Sequence, residues 1–299
     1  VRLLDAVRHI HAPMPDAEIT TEANPGTVDA GKFAALRRAG FNRVSLGAQS
    51  FVDEDLVRLE RVHAAAEIPR AVAAARQAGF ENLNIDLMFG LPHQSRVAWN
   101  RNLTAALDLQ TEHLSLYCLT IEPNTAFFKR HLRGQIELPD EETQVQMYED
   151  CLDRMTAHGY RAYEISNFAR PGCECQHNLA YWRHEDYAAY GPGAVACLTE
   201  PDGARVRTTN VKHPRAYVER MAEGTPGAAA EREILTPEAQ RLEQLMLGLR
   251  LEEGLIPPPI AADALHEMRR RAWVTVEGTR IRLTRQGRHF ASEVALALA

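Results

Sequence analysis

Three times in the first half of the chain, a helical spacing of apolar residues ends in a glycine and an aromatic, and the residues that follow alternate or run apolar. The joins are Ala39-Gly40-Phe41 before RVSLGAQS, Ala78-Gly79-Phe80 before NLNIDLMFG, and the looser His158-Gly159-Tyr160 before RAYEIS. Glycine just past a helix takes the left-handed conformation without a Cβ clash, and the aromatic after it folds back onto the last turn. The helices themselves are predicted by Phe33 and Leu36, by Val72 and Ala75 with Pro69 suited to a first turn, and by Val145, Tyr148, Leu152 and Met155. With AEITTEA and HLSLYCLTI as further strands and WNRNLTAALDL as a helix, strand and helix alternate to about residue 165. That alternation predicts parallel βαβ units and an α/β fold, as a curved barrel or as an open doubly wound sheet.

The rhythm then changes. Residues 166–235, with HNLAYWRHEDYAAYGPG and the Gly- and Pro-rich TPGAAAERE, predict a connecting region of irregular structure and a linker. From 236 to 299 the order is a helix (LTPEAQRLEQLMLGLRL), a Pro-Pro-Pro break, a second helix (IAADALHEMRRR), a hairpin (WVTVEGTRIRLT) and a last helix, which predicts a small winged-helix-like α+β domain. The opening residues form an amphipathic pattern of Leu3, Leu4, Val7 and Ile10. Because the chain begins there at Val1 rather than at a methionine, a longer natural chain is expected.

Composition narrows the function. A net charge of -6 with 25% charged residues argues against general affinity for nucleic acid or anionic lipid. The triplet Arg269-Arg270-Arg271 reads as a solvated helix end favoured by the helix dipole. No apolar stretch reaches the about 18 residues of a membrane span, so an integral membrane protein is not expected. Cys118, Cys151, Cys173, Cys175 and Cys197 make no even framework, which predicts reduced thiols and a cytoplasmic location.

In a parallel barrel, functional side chains lie at the C-terminal ends of strands. Glu22 closes AEITTE, Gln49 closes VSLGAQ, and Asp86 interrupts the apolar run NIDLMFG, where it needs a partner or a ligand. Singly, each reads as a satisfied polar core residue or a cap. Together they suit a ligand rich in hydroxyl and amino groups. Arg61 follows DEDLVRLE; as an alternative to a solvated arginine, its guanidinium would grip a carboxylate with two prongs. Cys173, Cys175 and His177 supply zinc-type ligands within five residues, but no second ligand cluster accompanies them, and a cysteine-rich loop is the plainer reading.

TEANPGT, RVSLGAQSF, Arg61, GFENLNIDLMFGLPHQ, YEISNFARPG and HNLAYW, in that order, resemble the oxygen-independent coproporphyrinogen dehydrogenase group of radical S-adenosylmethionine (SAM) proteins. HNLAYW is similar to the His-Asn-x-x-Tyr-Trp signature of the heme chaperone branch of that group. The resemblance implies a partial (β/α)6 radical SAM barrel with SAM in its mouth. It also implies that Glu22, Gln49, Arg61 and Asp86 contact SAM, with Arg61 on the methionine carboxylate and the other three sharing the ammonium and ribose hydroxyls.

The group anchors a [4Fe-4S] cluster through Cys-x3-Cys-x2-Cys and contacts SAM through a Gly-Gly-Gly-Thr-Pro turn. Neither motif occurs here, so two βα units of roughly 30 to 40 residues each are expected to be missing. Without that triad the 299 residues are not expected to perform radical chemistry. The branch implies heme contact by His177, Asn178, Tyr181 and Trp182. An imidazole is a common axial ligand and the two aromatics offer a flat surface, although core packing and capping would also account for them. His113, His131, His158 and His184 are candidates for a second ligand. The implied function is a chaperone that passes heme to membrane respiratory proteins. The alternative is an enzyme that oxidatively decarboxylates coproporphyrinogen III.

Overall fold

The structure is a computed structural model that describes residues 2–222 and 228–299, and it divides into two compact units, Val1–Cys175 and Gln176–Ala299. Thr225, Pro226 and Gly227 of the expected linker lie outside the described residues.

The first unit runs α1 (Arg2–Ile10), β1 (Thr20–Ala23), α2 (Ala30–Ala39), β2 (Arg43–Gln49), α3 (Asp53–Arg58), α4 (Glu67–Gln77), β3 (Asn82–Phe89), α5 (Arg96–Asp108), β4 (His113–Cys118), α6 (Ala126–Leu132), α7 (Glu141–Ala157), β5 (Arg161–Ala162) and β6 (Asn167–Ala169). All three glycine joins are present. Gly40, Gly79 and Gly159 have φ of 97°, 87° and 81°. In each, the glycine N–H and the following aromatic N–H close on the helix's last carbonyls, as in Phe41 N–H to Leu36 O, Phe80 N–H to Ala75 O and Tyr160 N–H to Met155 O. After the first two joins the new strand lies beside the previous one, after the third it takes the sheet edge beyond β6, and Phe80 and Tyr160 are buried.

The sheet order is β1-β2-β3-β4-β6-β5. The first four strands are parallel, but β6 pairs antiparallel with β4, and β5 antiparallel with β6. The parallel alternation read from the sequence therefore stops at β4, and RAYEISNFA folds back on itself as a short hairpin. One face of the sheet carries Val44, Leu46, Leu83, Ile85, Leu87, Leu114, Leu116 and Phe168, packed against Phe33, Val72, Trp99, Leu103, Met147 and Met155 of the helices. Trp99 fixes α5 to α7 through its Nε1–H, which donates to Met147 O at 3.0 Å. Val145, expected on the apolar stripe of α7, is 41% exposed, while Tyr148, Leu152 and Met155 are buried as expected.

The second unit runs α8 (Gln176–Trp182), β7 (Val195–Thr199), β8 (Arg205–Asn210), α9 (Pro214–Ala222), β9 (Ala229–Ile234), α10 (Pro237–Gly248), α11 (Ala262–Arg270), β10 (Val274–Glu277), β11 (Arg280–Leu283) and α12 (Ala291–Leu298). β7, β8 and β9 form an antiparallel sheet, so AAEREI is a strand rather than irregular chain. The C-terminal helices and the β10–β11 hairpin follow the expected order. Among the described residues no helix is long and apolar enough to cross a membrane.

Candidate functional site

The face of the first sheet opposite the helices is polar, and the register of the strands builds it. Glu22 pairs with Ser45, Ser45 with Asn84, and Asn84 with His113, so these four form one row. Two residues further along, on the same face, Asp86 pairs with Ser115 and Ser115 with Asn167. Glu22 is exposed, Asp86 half-buried, and the others are buried.

Hydrogen bonds join the row. The Asn84 amide donates to Ser45 Oγ and to Asp86 Oδ1, both at 2.7 Å, and Ser45 Oγ donates to Asp86 Oδ2 at 3.1 Å. Asn84 Oδ1 accepts from His113 Nδ1 at 2.6 Å and from Ser115 Oγ at 3.1 Å. Tyr163 then donates its hydroxyl to His113 Nε2 at 2.8 Å. Below this, Glu164 Oε1 accepts from Asn167 Nδ2 at 2.6 Å and from Ser166 N–H at 2.9 Å.

Burial pushes the Asp86 carboxyl up and the Glu22 charge adds to the shift, while bonds from Asn84, Ser115 and Ser45 pull it down. Burial likewise raises Glu164 against the pull of its amide donors, and it holds His113 well below its ordinary range with help from the Arg43 charge. His113 is therefore neutral. With no exposure and both ring nitrogens engaged, it is removed from the candidate heme ligands.

Gln49 ends β2 just past a register shift, with φ of 66°. Its Nε2 lies over Gly47, 3.1 Å from where a Cβ on that glycine would stand, and Asn24 Oδ1 is 3.6 Å from the same point. Glu22, Gln49 and Asp86 thus share one face and one end of the sheet. Arg61 is placed by the end of α3. Glu60 takes φ of 56°, and the N–H groups of Glu60 and Arg61 close on Val57 O and Leu56 O. Its guanidinium is exposed and makes no hydrogen bond or ion pair among the described residues, so no contact ties it to the other three.

Sequence reading missed Ser45, Asn84, Ser115 and Asn167, and it singled out His113 only as a candidate heme ligand. The available signal was polar residues two apart inside apolar strands, as in N-I-D and H-L-S.

In the second unit, α8 carries HNLAYW. His177 is exposed, and Asn178, Tyr181 and Trp182 are half-buried. Leu179 supplies the buried contact. The His177 ring meets Tyr181 edge-on at 4.8 Å, Tyr181 lies 4.5 Å from Tyr187, and the Arg250 guanidinium covers Trp182 at 5.4 Å. His184 lies 3.5 Å from Glu243. Trp182, His184, Gln244, Leu251, Leu255 and Arg280 help line a cavity of about 310 Å³.

The Cys-x-Cys loop places Cys175 Sγ 3.4 Å from Glu18 Oε1, and burial raises the Cys173 thiol. Among the described residues no group of three His, Cys, Asp or Glu side chains could hold a metal. The arginine triplet of α11 is occupied locally: Glu267 pairs with Arg270 and Arg271 at 2.7 Å, and Arg271 covers Trp273 at 4.9 Å.

Residues 2–100 match the radical SAM superfamily. The chain is 35% identical over 306 residues to the heme chaperone HemW of Bacillus subtilis (strain 168), a match covering 98% of this chain and 79% of that protein. It is 38% identical over 303 residues to heme chaperone HemW of Mycobacterium tuberculosis (strain ATCC 25618 / H37Rv), covering 99% and 75%. To heme chaperone HemW of Escherichia coli (strain K12) it is 47% identical over 217 residues, 73% of this chain but only 56% of that relative. A solved structure titled coproporphyrinogen III oxidase (HemN) from Escherichia coli, a radical SAM enzyme, superposes with a TM-score of 0.81 at 22% identity over 99% of this chain and 73% of that one. This last likeness speaks to the fold.

Proposed function

The chain belongs to the heme chaperone HemW family of the radical SAM superfamily, and from that premise we propose that it binds heme and passes it to membrane respiratory proteins, with SAM held on the polar face of its first unit. In this reading the four parallel strands are the later part of a (β/α)6 barrel whose first two βα units are not among these residues. The hairpin and helices of 236–299 form a winged-helix-like module.

The donor set suits SAM. Glu22 and Asp86 offer carboxylates to an ammonium and to ribose hydroxyls, Gln49 offers an amide able to donate and accept, and the exposed Arg61 guanidinium is available to the methionine carboxylate. The absent Cβ of Gly47 leaves the Gln49 amide room to lie flat along the strand. Asn84 and Ser45 orient both oxygens of Asp86 before any ligand arrives, which lowers the ordering cost of binding.

The family also implies a [4Fe-4S] cluster, which when bound supplies an electron to SAM. The five cysteines described here do not converge as its ligands, so the role assigned to these residues is binding and orientation.

Heme is assigned to α8. The observation that carries this is the exposed His177 imidazole held edge-on by Tyr181 at 4.8 Å, a ligand-type nitrogen on a short helix with aromatic neighbours. Adding heme to the purified chain should produce a Soret band that His177→Ala weakens. A band indifferent to that substitution removes His177 from the role.

A further inference from the structure

The end of β2 is an unusual piece of backbone. Ser50 N–H donates to Ala48 O at 2.8 Å, closing a three-residue turn around Gln49, whose φ is 66°. This is the positive-φ γ-turn, a rare and strained form, and a side chain with a Cβ gives no reason to adopt it. The surroundings must impose it.

Downstream, Phe51 N–H donates to Asn102 Oδ1 at 2.5 Å, and Ser50 Oγ donates to the buried Asp55 Oδ2 at 2.9 Å. Upstream, the Ala48 carbonyl receives a second bond, from His63 Nε2 at 3.1 Å. The acceptor is a carbonyl, so the ring proton sits on Nε2. His63 Nδ1 is buried without a partner among the described residues, so the bond to Ala48 is the one hydrogen bond that ring makes among them. The segment that carries the ring is tied on its far side by Ala64 N–H to Glu67 Oε2 and Ala65 N–H to Asp53 Oδ1, each at 2.7 Å. A buried imidazole with one nitrogen left unsatisfied is a poor choice for filling space. Its value lies in the other nitrogen.

We propose that His63 is a positioning residue: by holding the Ala48 carbonyl it maintains the γ-turn that lays the Gln49 amide over Gly47, beside Asn24, for contact with the ligand of the polar face. This rests on the reading of that face as a SAM site.

The test compares SAM binding by the wild-type chain, His63→Phe and His63→Gln, with residue-resolved amide exchange at Ser50 as a second readout. Phenylalanine fills the space without the donor. Glutamine returns a donor near the Nε2 position. His63→Phe should weaken SAM binding about tenfold, the order expected when a buried hydrogen bond is lost, and should speed Ser50 exchange while the chain stays folded. His63→Gln should restore both.

Wild-type binding retained in His63→Phe overturns the role of His63 and leaves the site reading intact. Equal loss in both variants also overturns it, because packing alone would then be responsible. Absence of SAM binding in the wild type, with Glu22→Gln and Asp86→Asn no different, removes the site reading and this inference with it.

Discussion

Asn84 Oδ1 lies 2.6 Å from His113 Nδ1, and the two residues face each other in register on neighbouring strands β3 and β4. That bond decides which way the Asn84 amide is turned. Its oxygen serves His113 and Ser115, so its nitrogen must serve Ser45 and Asp86. One amide thereby links a buried imidazole to the half-buried carboxylate further along β3. Asn84→Leu leaves the His113 N–H without an acceptor and Asp86 without its closest donor. The expected cost is about 3 kcal/mol, measured as a lower urea midpoint followed through the buried Trp99.

The same imidazole makes the first unit acid-sensitive. Burial, and then the Arg43 charge, hold His113 well below the ordinary histidine value of 6.5. As pH falls through about 6.5 the unfolded chain takes up a proton that the folded chain refuses, so stability is lost toward acid and fully present above that value. Against pH, the stability difference between wild type and His113→Gln should shrink or reverse on moving from about 7.5 to about 5.5. A difference that stays flat over that range would show that the ring takes up its proton at the same pH in the folded chain as in the unfolded one.

Asp86 runs the other way. Its carboxyl is raised above the ordinary aspartate value of 3.8, chiefly by burial. An acid with a raised folded value costs stability as pH climbs from the unfolded value through the folded one, because the unfolded chain ionises first. Asp86→Asn removes that cost and keeps a group able to meet Ser45 and Asn84. At neutral pH the variant should be about 1 kcal/mol more stable while SAM affinity falls at least tenfold, the usual opposition between a tuned site and a stable one. Loss of stability with affinity intact would contradict both halves.

The helix-to-strand joins were readable because each depends on a local rule: a glycine in the left-handed conformation followed by an aromatic that folds back. Glu22, Gln49 and Asp86 were readable for a related reason, the first two as polar residues closing strands and Asp86 as an acid inside an apolar run. The register from Glu22 through Ser45 and Asn84 puts Glu22 and Asp86 on one face, and the turn that lays the Gln49 amide over Gly47 brings it to the same face. What the sequence could not display was pairing across strands. The antiparallel turn of β5 and β6 and the chain of bonds from Tyr163 to Asp86 depend on residues far apart in the chain. β9 gives no alternation because all six of its residues are exposed. The γ-turn at Gln49 has no signature either, since glutamine is not a residue that favours positive φ. Arg61, placed with the other three by resemblance, is joined to them by no contact among the described residues.

Gly287 gives the second unit a sharp packing test. A Cβ there would stand 1.8 Å from Trp273 O and 2.7 Å from its carbonyl carbon, both backbone atoms. The same carbonyl accepts from Thr284 N–H at 2.9 Å, and Trp273 stacks on Phe290 at 4.3 Å. An added methyl cannot be relieved by a rotamer change, so Gly287→Ala must push the entry of the hairpin away from the turn before α12. The expected cost is about 3 kcal/mol, with altered Trp273 fluorescence in the folded state. Unchanged stability would mean that the backbone there yields easily.

The last prediction concerns how α8 presents its imidazole. His177 and Tyr181 are one helical turn apart, and the edge-on contact at 4.8 Å limits the rotation of the His177 ring. Tyr181 is itself backed by Tyr187 at 4.5 Å. If His177 supplies the nitrogen and Tyr181 only steadies it, the two substitutions should differ in kind. His177→Ala should lose at least tenfold in heme affinity and recover its Soret band when free imidazole is added, because the missing group is then replaced. Tyr181→Leu should lose roughly threefold, in line with an aromatic contact worth about 0.5–1 kcal/mol, and should not respond to imidazole. Recovery in neither variant would place the axial nitrogen elsewhere and leave α8 as a packing surface for the porphyrin.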